Sequence, residues 1–308
     1  MNAILFPGQG SQIVGMGSEF HNNYPIVREI FEKADEKLKY KISKIILEGP
    51  ESDLKLTKNT QPAILIVSYA IFSVLKKEFN FDFKSTNYFA GHSLGEYSAL
   101  VCSESLDFND ALFLLFERGK AMQEAVPLGK GSMIAVLGSK VDELNNYIKE
   151  IKTKGVCEIA NDNAEGQTII SGDVESVNLL QNLLKKDKKK CIPLNVSAPF
   201  HCSLMNSAAD KMKDKINSVN FKKPLFDIIS NVTSYPENNP ENIKKLLIEQ
   251  IYSTVRWRES IINMHKEKIN DFIEIGPGKV LSGMVKRTVN NTNCFSINSI
   301  DDMKKVTK

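Results

Sequence analysis

A serine flanked by glycines is the side chain of this protein best suited to nucleophilic chemistry. The segment Gly91-His92-Ser93-Leu94-Gly95 follows the apolar residues 88–90 and precedes the mostly apolar residues 97–102. Glycines at these positions let a chain reverse sharply between a strand and a helix, which holds the hydroxyl clear of the sheet. Backbone N–H groups at the start of the helix can then receive an oxyanion. The spacing predicts a nucleophile elbow at Ser93; a buried serine in a tight turn is the alternative interpretation.

A nucleophilic serine needs a general base, and the chain has four histidines. His21 and His265 lie in polar or Lys-rich segments, where solvated side chains are expected. His92 is next to Ser93 but poorly placed as its base, because consecutive strand residues point to opposite sides. Elimination favours His201, for which a plain loop histidine is the alternative. No Asp or Glu is recognisable as a third triad member, and a carbonyl oxygen can serve instead, since it need only accept from the Nδ1–H group.

Helices and strands alternate in the first part of the chain. A short buried strand at residues 3–6 ends at the loop of residues 7–12, and helices are predicted at about residues 25–38, 61–79 and 109–125. This alternation favours a parallel α/β sheet. With the elbow, it predicts a hydrolase-like α/β main domain built on a parallel sheet.

The order of elements changes after residue 127. Strands and helices are predicted in the order βαββαβ, at residues 132–138, 141–151, 156–160, 167–171, 174–184 and 191–194. This order is typical of a ferredoxin-like unit. We therefore expect a main domain of residues 1–127 and 196–308, with a ferredoxin-like subdomain of residues 128–195 inserted in it. The main domain is predicted to end in a strand at residues 272–275, a Gly-Pro-Gly turn and a helix through Arg287.

Composition narrows the class of protein. The chain has 308 residues, of which 42% are hydrophobic, and a formal net charge of +3, too small to argue for nucleic acid. Its five cysteines are odd in number and form no CxxC, which favours reduced thiols in a cytosol-like compartment over disulfides or a zinc site. The N-terminus has no basic region, and no apolar segment approaches the ~20 residues of a membrane span. We expect a soluble protein that binds neither nucleic acid nor membrane.

Several segments, in this order, resemble malonyl-CoA:acyl carrier protein transacylases. They are residues 6–12, 91–100, Glu117-Arg118-Gly119, 198–201, Gln250-Ile251-Tyr252 and 275–278, and the resemblance covers nearly the whole chain. It implies a cytoplasmic, monomeric enzyme of fatty acid synthesis. Such an enzyme moves malonyl from coenzyme A to the phosphopantetheine thiol of acyl carrier protein by a ping-pong route through malonyl-Ser93. It uses no metal and no cofactor, since the coenzyme A thioester is a substrate.

The resemblance also implies roles for individual residues. Ser93 and His201 match the nucleophile and base, the backbone N–H groups of Gln9 and Leu94 match the oxyanion hole, and the carbonyl that orients the histidine lies near Gln250. The residues that match substrate-binding positions are Arg118, His92, Met122, Asn163 and Phe200.

Arg118 decides the substrate in this interpretation. A planar guanidinium can bind the free carboxylate of malonyl through two parallel hydrogen bonds, whereas its position in the chain alone would favour a surface arginine. Leu94 after the nucleophile and Phe200 before the histidine resemble the malonyl-selective pattern. Pro199, where many relatives have Ala, departs from it.

Other assignments remain open from the residues. A serine hydrolase or thioesterase would share Ser93 and His201 without needing Arg118, whereas a non-catalytic carrier-binding module would tolerate loss of both. Two basic clusters are candidates for docking an acidic carrier protein, namely the run of residues 185–190 and the pair Lys286 and Arg287. A solvated face is the alternative for each cluster.

Overall fold

The structure, a computed structural model, describes residues 1–151, 155–196 and 198–307. Within these ranges ten strands form two sheets. The strands are β1 (Asn2–Phe6), β2 (Thr86–Gly91), β3 (Gly131–Leu137), β4 (Cys157–Ala164), β5 (Gln167–Asp173), β6 (Lys190–Pro193), β7 (Asp227–Ile229), β8 (Pro236–Glu237), β9 (Asp271–Ile275) and β10 (Asn293–Ile297). The α-helices are α1 (Ser18–Asn23), α2 (Pro25–Leu38), α3 (Ile42–Glu48), α4 (Glu51–Leu54), α5 (Thr57–Lys77), α6 (Gly95–Cys102), α7 (Phe108–Glu124), α8 (Val141–Glu150), α9 (Val174–Lys186), α10 (Asn206–Ser218), α11 (Pro240–Gln250), α12 (Trp257–Lys266), α13 (Val280–Thr288) and α14 (Ile300–Val306). None of these helices is both long and apolar enough to cross a bilayer.

The larger sheet has the strand order β10-β9-β1-β2-β7-β8. Five of its strands are parallel, as predicted, but β8 runs antiparallel to β7. The prediction of a wholly parallel sheet is wrong at this edge, because the connection between the two strands is too short for a parallel crossover. All five residues of β1 are buried. Ile4 and Phe6 pack in one apolar core, and Ala3 and Leu5 pack in a second core with residues of α12 and α13.

The smaller sheet has the order β4-β5-β3-β6, and every neighbouring pair is antiparallel. With α8 and α9 its strands follow the predicted chain order βαββαβ. It has its own apolar core, formed by residues that include Ile134, Val136, Leu144, Ile170, Val177 and Leu180. The range predicted for this subdomain includes residues 152–154, which lie outside the described residues.

β4 is longer than predicted and connects the two sheets. The sequence predicts a strand that ends at residue 160, but β4 continues to Ala164. The polar residues at 161–163 are buried; Asn161 and Asp162 pair with β5, and the register shifts at Asn163. The Asp162 N–H donates to the Val255 carbonyl at 3.0 Å, and the Val255 N–H donates to the Ala160 carbonyl at 2.9 Å. These bonds attach the smaller sheet to the chain that leads into α12.

Candidate active site

Ser93 lies in a sharp turn between a strand and a helix. β2 ends at Gly91 and α6 begins at Gly95, and Ser93 between them has a φ of 53°. A Cβ atom on Gly91 would lie 1.9 Å from the Gly95 carbonyl, and one on Gly95 would lie 2.3 Å from the Phe6 carbonyl oxygen. Only glycine fits at both positions, as the spacing predicts.

Asn231 holds this turn from the next strand of the sheet. The Ser93 N–H donates to Asn231 Oδ1 at 2.7 Å, and Asn231 Nδ2 donates to the Gly91 carbonyl at 2.8 Å. A non-glycine residue at positive φ costs about 1–3 kcal/mol, which these two bonds help to offset. Sequence reasoning missed Asn231. Its signal is a polar residue just past the carboxyl end of an apolar strand, where ligands meet open α/β sheets.

His201 is in hydrogen-bond contact with the serine. Its Nε2 lies 2.7 Å from Ser93 Oγ, and its Nδ1 lies 2.8 Å from the Gln250 backbone carbonyl. That carbonyl only accepts, so Nδ1 carries the proton and Nε2 is free to accept from the serine hydroxyl. Burial, reinforced by the positive charge of Arg118, lowers the His201 pKa to about 3. The imidazole is therefore neutral at physiological pH.

The other histidines do not contact Ser93 Oγ. His92 Nε2 lies 2.8 Å from Asn163 Oδ1, and its ring packs edge-on against Trp257. His21 and His265 were expected to be solvated, but both are half-buried. The reason is local packing. The His21 ring lies 5.2 Å from the Phe31 ring, and His265 Nδ1 lies 3.2 Å from the carbonyl oxygen of Ile269, three residues past the end of its helix.

Among the backbone N–H groups that line the cavity near the serine, two of those with no acceptor in the described part of the chain match the predicted oxyanion hole. They belong to Gln9, in the loop after β1, and to Leu94, directly after the serine. The loop is held by Gly10, whose N–H donates to Gln12 Oε1 at 2.7 Å, and it approaches the turn closely. A Cβ atom on Gly8 would lie 2.5 Å from the His92 carbonyl oxygen. Both free N–H groups belong to residues that line the same cavity as Ser93.

Arg118 is buried inside this cavity rather than exposed on a helix surface. It is 1% exposed, and it lies on α7. One terminal nitrogen donates to Gln61 Oε1 at 2.8 Å, while the other donates to Gln250 Oε1 at 2.8 Å and to Ser93 Oγ at 3.2 Å. The Nε–H group has no partner within the described residues. Sequence reasoning missed Gln61 and the Gln250 side chain, because nothing in a glutamine on a helix announces a distant arginine.

The cavity has a volume of about 220 Å³. Of the residues predicted for the site, Gln250 alone is missing from its lining, because its carbonyl and amide lie behind His201 and Arg118. The predicted residues that line it are Gln9, His92, Ser93, Leu94, Arg118, Met122, Asn163, Phe200 and His201. The arrangement brings together a serine hydroxyl, a neutral imidazole, free backbone N–H groups and a buried positive charge, and these groups suit acyl transfer from a carboxylate-bearing ester or thioester.

The remaining predictions concern the cysteines, the two basic clusters and the absence of a metal site. All five cysteines are free. Lys286 and Arg287 are exposed in the last turn of α13. The run of residues 185–190 spans the end of α9 and the start of β6 and is mostly exposed, although Lys189 pairs with Glu143. No cluster of three or more His, Cys, Asp or Glu side chains in the described ranges is arranged to hold a metal ion.

Comparison with known proteins agrees with this geometry. The acyl transferase domain family matches residues 4–308. The malonyl CoA-acyl carrier protein transacylase of Bacillus subtilis is 44% identical over 287 residues, 92% of this chain and 89% of that protein. The Escherichia coli K12 protein of the same name is 39% identical over 297 residues, 96% of this chain and 95% of that protein.

Solved structures give the same result. The acyl-carrier-protein-S-malonyltransferase from Bartonella henselae superposes with a TM-score of 0.96 at 39% identity, covering 99% of this chain and 98% of that chain. A malonyl-transacylase in complex with a type II PKS acyl-carrier protein gives a TM-score of 0.95 at 37% identity, covering 99% and 98%. This chain belongs to the malonyl-CoA:acyl carrier protein transacylase family of acyl transferases.

Proposed function

We propose that this protein transfers malonyl from malonyl-CoA to the phosphopantetheine thiol of acyl carrier protein, supplying fatty acid synthesis. The observation that carries the proposal is the buried guanidinium of Arg118, 3.2 Å from Ser93 Oγ. A hydrolase that accepts neutral acyl groups has no use for a desolvated positive charge at its nucleophile. Malonyl has a free carboxylate that fits beside that charge when its thioester carbon is at the serine.

In the first half-reaction Ser93 Oγ attacks the thioester carbon, and its proton passes to His201 Nε2, 2.7 Å away. The negative charge on the tetrahedral oxygen is received by the N–H groups of Gln9 and Leu94. The C–S bond then breaks, coenzyme A leaves as a thiol with the proton from His201, and malonyl remains on Ser93. The Gln250 carbonyl keeps the imidazole oriented through both proton transfers.

In the second half-reaction the carrier thiol gives its proton to His201 and attacks malonyl-Ser93. The C–O bond breaks, and Ser93 regains its proton from the histidine. The carboxylate of bound malonyl offsets the positive charge of Arg118, which otherwise lowers the His201 pKa. Substrate binding thus strengthens the base at the point where it is needed.

The remaining predicted residues shape the pocket. Met122, Phe200 and Leu94 are buried apolar side chains that line the pocket. They favour an unbranched acyl chain over a branched one. His92 and Asn163 are hydrogen-bonded to each other and line the same cavity. No metal and no cofactor takes part in these steps.

We also infer the finer architecture. The Ser93 turn is a nucleophile elbow, supported by its positive φ and the glycine contacts. Residues 128–195 form a ferredoxin-like subdomain inserted in a main domain of residues 1–127 and 196–308, a division supported by the strand order β4-β5-β3-β6 of the smaller sheet. The protein acts as a monomer in the cytoplasm.

The test is mass spectrometry of the protein mixed with malonyl-CoA, before and after addition of phosphopantetheinylated acyl carrier protein. We expect one malonyl group on the peptide that contains Ser93, and its loss to the carrier when the carrier is added. Release of free malonate without a carrier, at the rate of coenzyme A release, would show a thioesterase instead. Unmodified protein throughout would show that the chain is not an acyltransferase for this substrate.

A further inference from the structure

We propose that Glu96 is a positioning residue, whose carboxyl group fixes the side-chain amide of Gln250 so that this amide holds Arg118 in place for the acyl carboxylate. The inference rests on the proposed function, because it concerns selectivity for a carboxylate-bearing acyl group. It assigns a task to a buried acidic side chain that takes no part in the transfer itself.

The Gln250 amide has three neighbours that agree on its orientation. Its Oε1 accepts from Arg118 at 2.8 Å, and its Nε2 donates to Glu96 Oε2 at 2.7 Å and to the Ser93 carbonyl at 3.0 Å. A guanidinium only donates and a carboxylate only accepts, so the reversed amide would face both with the wrong group. Glu96 is thus the nearer and the charged one of two acceptors that keep the Gln250 oxygen turned toward Arg118.

Glu96 is built into the base of the site. It lies in the first turn of α6, three residues after Ser93, and is 3% exposed. Its Oε2 also accepts from the backbone N–H of Asn231 at 3.2 Å, so one carboxyl oxygen holds two residues that contact the serine turn. Burial raises the pKa of Glu96 to about 7, opposed by these hydrogen bonds and by Arg118 on α7. Tyr97, the next residue on α6, is the other ionisable group that interacts with Glu96. Burial raises the pKa of Tyr97 to about 12, so its hydroxyl is neutral near pH 7.

The consequence concerns one substrate group more than the rest of the reaction. Gln250 holds His201 through its backbone carbonyl and Arg118 through its side chain. Without an acceptor at position 96 the amide keeps only the Ser93 carbonyl as a close acceptor, so Gln250 Oε1 holds Arg118 less firmly while the backbone carbonyl stays in place. An acyl group with a carboxylate is affected, whereas acetyl, which uses the same serine and histidine, serves as the internal control.

Two variants separate the acceptor from the charge. Glu96→Met removes the acceptor at similar volume, and Glu96→Gln keeps a carbonyl acceptor without charge. The measurement is kcat/KM for acylation of Ser93 by malonyl-CoA divided by that for acetyl-CoA. We expect this ratio to fall about 10- to 100-fold in Glu96→Met, the effect of one hydrogen bond to a charged group. In Glu96→Gln the ratio should stay within about threefold of wild type. Thermal melts of both variants serve as the control for folding. An unchanged ratio in Glu96→Met, or equal loss in the two variants, would overturn the proposal.

The route through Gln250 is tested with a double mutant. In a Gln250→Met background, Glu96→Met should change the ratio by less than about twofold, because the amide it positions is gone. Independent, multiplied effects would overturn the proposal. Lowering the pH from about 8 to about 6 should reduce the wild-type ratio by no more than about threefold, because the protonated carboxyl is a weaker acceptor but still has a carbonyl oxygen, while Glu96→Gln stays flat. The same pH dependence in both proteins would also contradict it.

Failure of the proposed function gives a different result. Wild-type protein that does not favour malonyl over acetyl would contradict malonyl transfer. Wild-type preference that survives in Glu96→Met contradicts the role of Glu96 alone.

Discussion

The two walls of the cavity are held in different ways. The wall on the larger sheet carries Ser93 and Arg118, joined to Gln250 and Asn231 in one buried hydrogen-bond network. The wall on the smaller sheet is formed by residues of β3, β4 and β5, and β4 is attached to the chain that leads into α12 by backbone bonds to Val255 and by the Asp162–Arg258 pair. We infer that the residues that react with the substrate are held by the larger sheet and its helices, whereas the smaller sheet determines how the substrate is enclosed. Changes in the first wall should therefore act on kcat, and changes in the second on KM.

The largest effect is expected at the nucleophile. Ser93→Ala should remove the malonyl adduct and lower turnover at least ~10³-fold, as removal of a nucleophile does in comparable enzymes. Intact-mass spectrometry and a coenzyme A release assay measure both. Ser103→Ala, a buried serine on the same segment, is the matched control and should label normally. A labelled Ser93→Ala protein would contradict the assignment.

Arg118→Ala is next in size. It leaves the malonyl carboxylate desolvated without a partner, at a cost of roughly 2–5 kcal/mol in kcat/KM for malonyl-CoA. Acetyl-CoA, which has no carboxylate, should be spared or improved. Arg118→Lys tests the two-donor geometry, because lysine keeps the charge and loses the planar fork. Equal loss with both substrates would point to a folding role for Arg118.

The pH dependence of the base differs from that of an ordinary histidine. A pKa of about 6.5 would protonate the base below that pH, and reactivity would fall about tenfold per unit. Burial beside Arg118 instead lowers the His201 pKa to about 3. The free enzyme should therefore keep its neutral base down to about pH 5. Labelling of Ser93 by a neutral fluorophosphonate checks this without involving the carboxylate clamp. A tenfold fall by about pH 5.5, as an ordinary histidine gives, would contradict the buried, neutral state of His201.

A smaller effect is expected where the smaller sheet is attached. Asp162 is 3% exposed and accepts two hydrogen bonds from Arg258 Nε, at 2.9 and 3.0 Å. Asp162→Asn weakens this pair and loosens β4, which carries the cavity residue Asn163. We expect KM for malonyl-CoA to rise about 3- to 10-fold with kcat changed less, the equivalent of one weakened charged hydrogen bond. Asp301→Asn, in an exposed pair, is the control. A loss confined to kcat would show that the two walls are not separable in this way.

The sequence predicts what depends on local pattern. The serine turn is visible because two glycines make it possible, and His201 was reached by elimination among four histidines. What it hides depends on contacts between distant segments. Asn231 meets Ser93 across 138 positions, and no pattern near either residue predicts that bond.

Element boundaries were missed for the same reason. Helix α5 begins at Thr57, not at residue 61. The sequence does not show this start, because the helix has no side-chain N-cap. Its first polar residues are buried by tertiary bonds, as where Thr60 Oγ1 donates to the Leu54 carbonyl at 2.6 Å. Three polar residues in a row at 161–163 are typical of a loop, yet they continue β4, where Asn161 pairs with Val255 of a distant segment on one side and with β5 on the other.

The smallest effect is expected for the docking of the carrier protein. The comparison is between basic residues beside the larger sheet and basic residues beside the smaller sheet. Val280 and Met284 of α13 line the cavity, and Lys286 and Arg287 are exposed in the last turn of that helix. On the smaller sheet, Lys188 is exposed but Lys189 is paired with Glu143. This difference favours α13, on the larger sheet, as the site that attracts an acidic carrier.

Charge reversal compares the two clusters directly. Rim charges act mainly on association rate, and salt that shortens the screening length below ~10 Å suppresses them. Lys286→Glu with Arg287→Glu should raise KM for the carrier about 3- to 10-fold at low salt, less at high salt, and leave malonylation of Ser93 unchanged. Lys188→Glu with Lys189→Glu should have the smaller effect. A larger effect of the second pair would assign docking to the inserted sheet. If neither pair changes that KM at low salt, the carrier is not recognised by these charges.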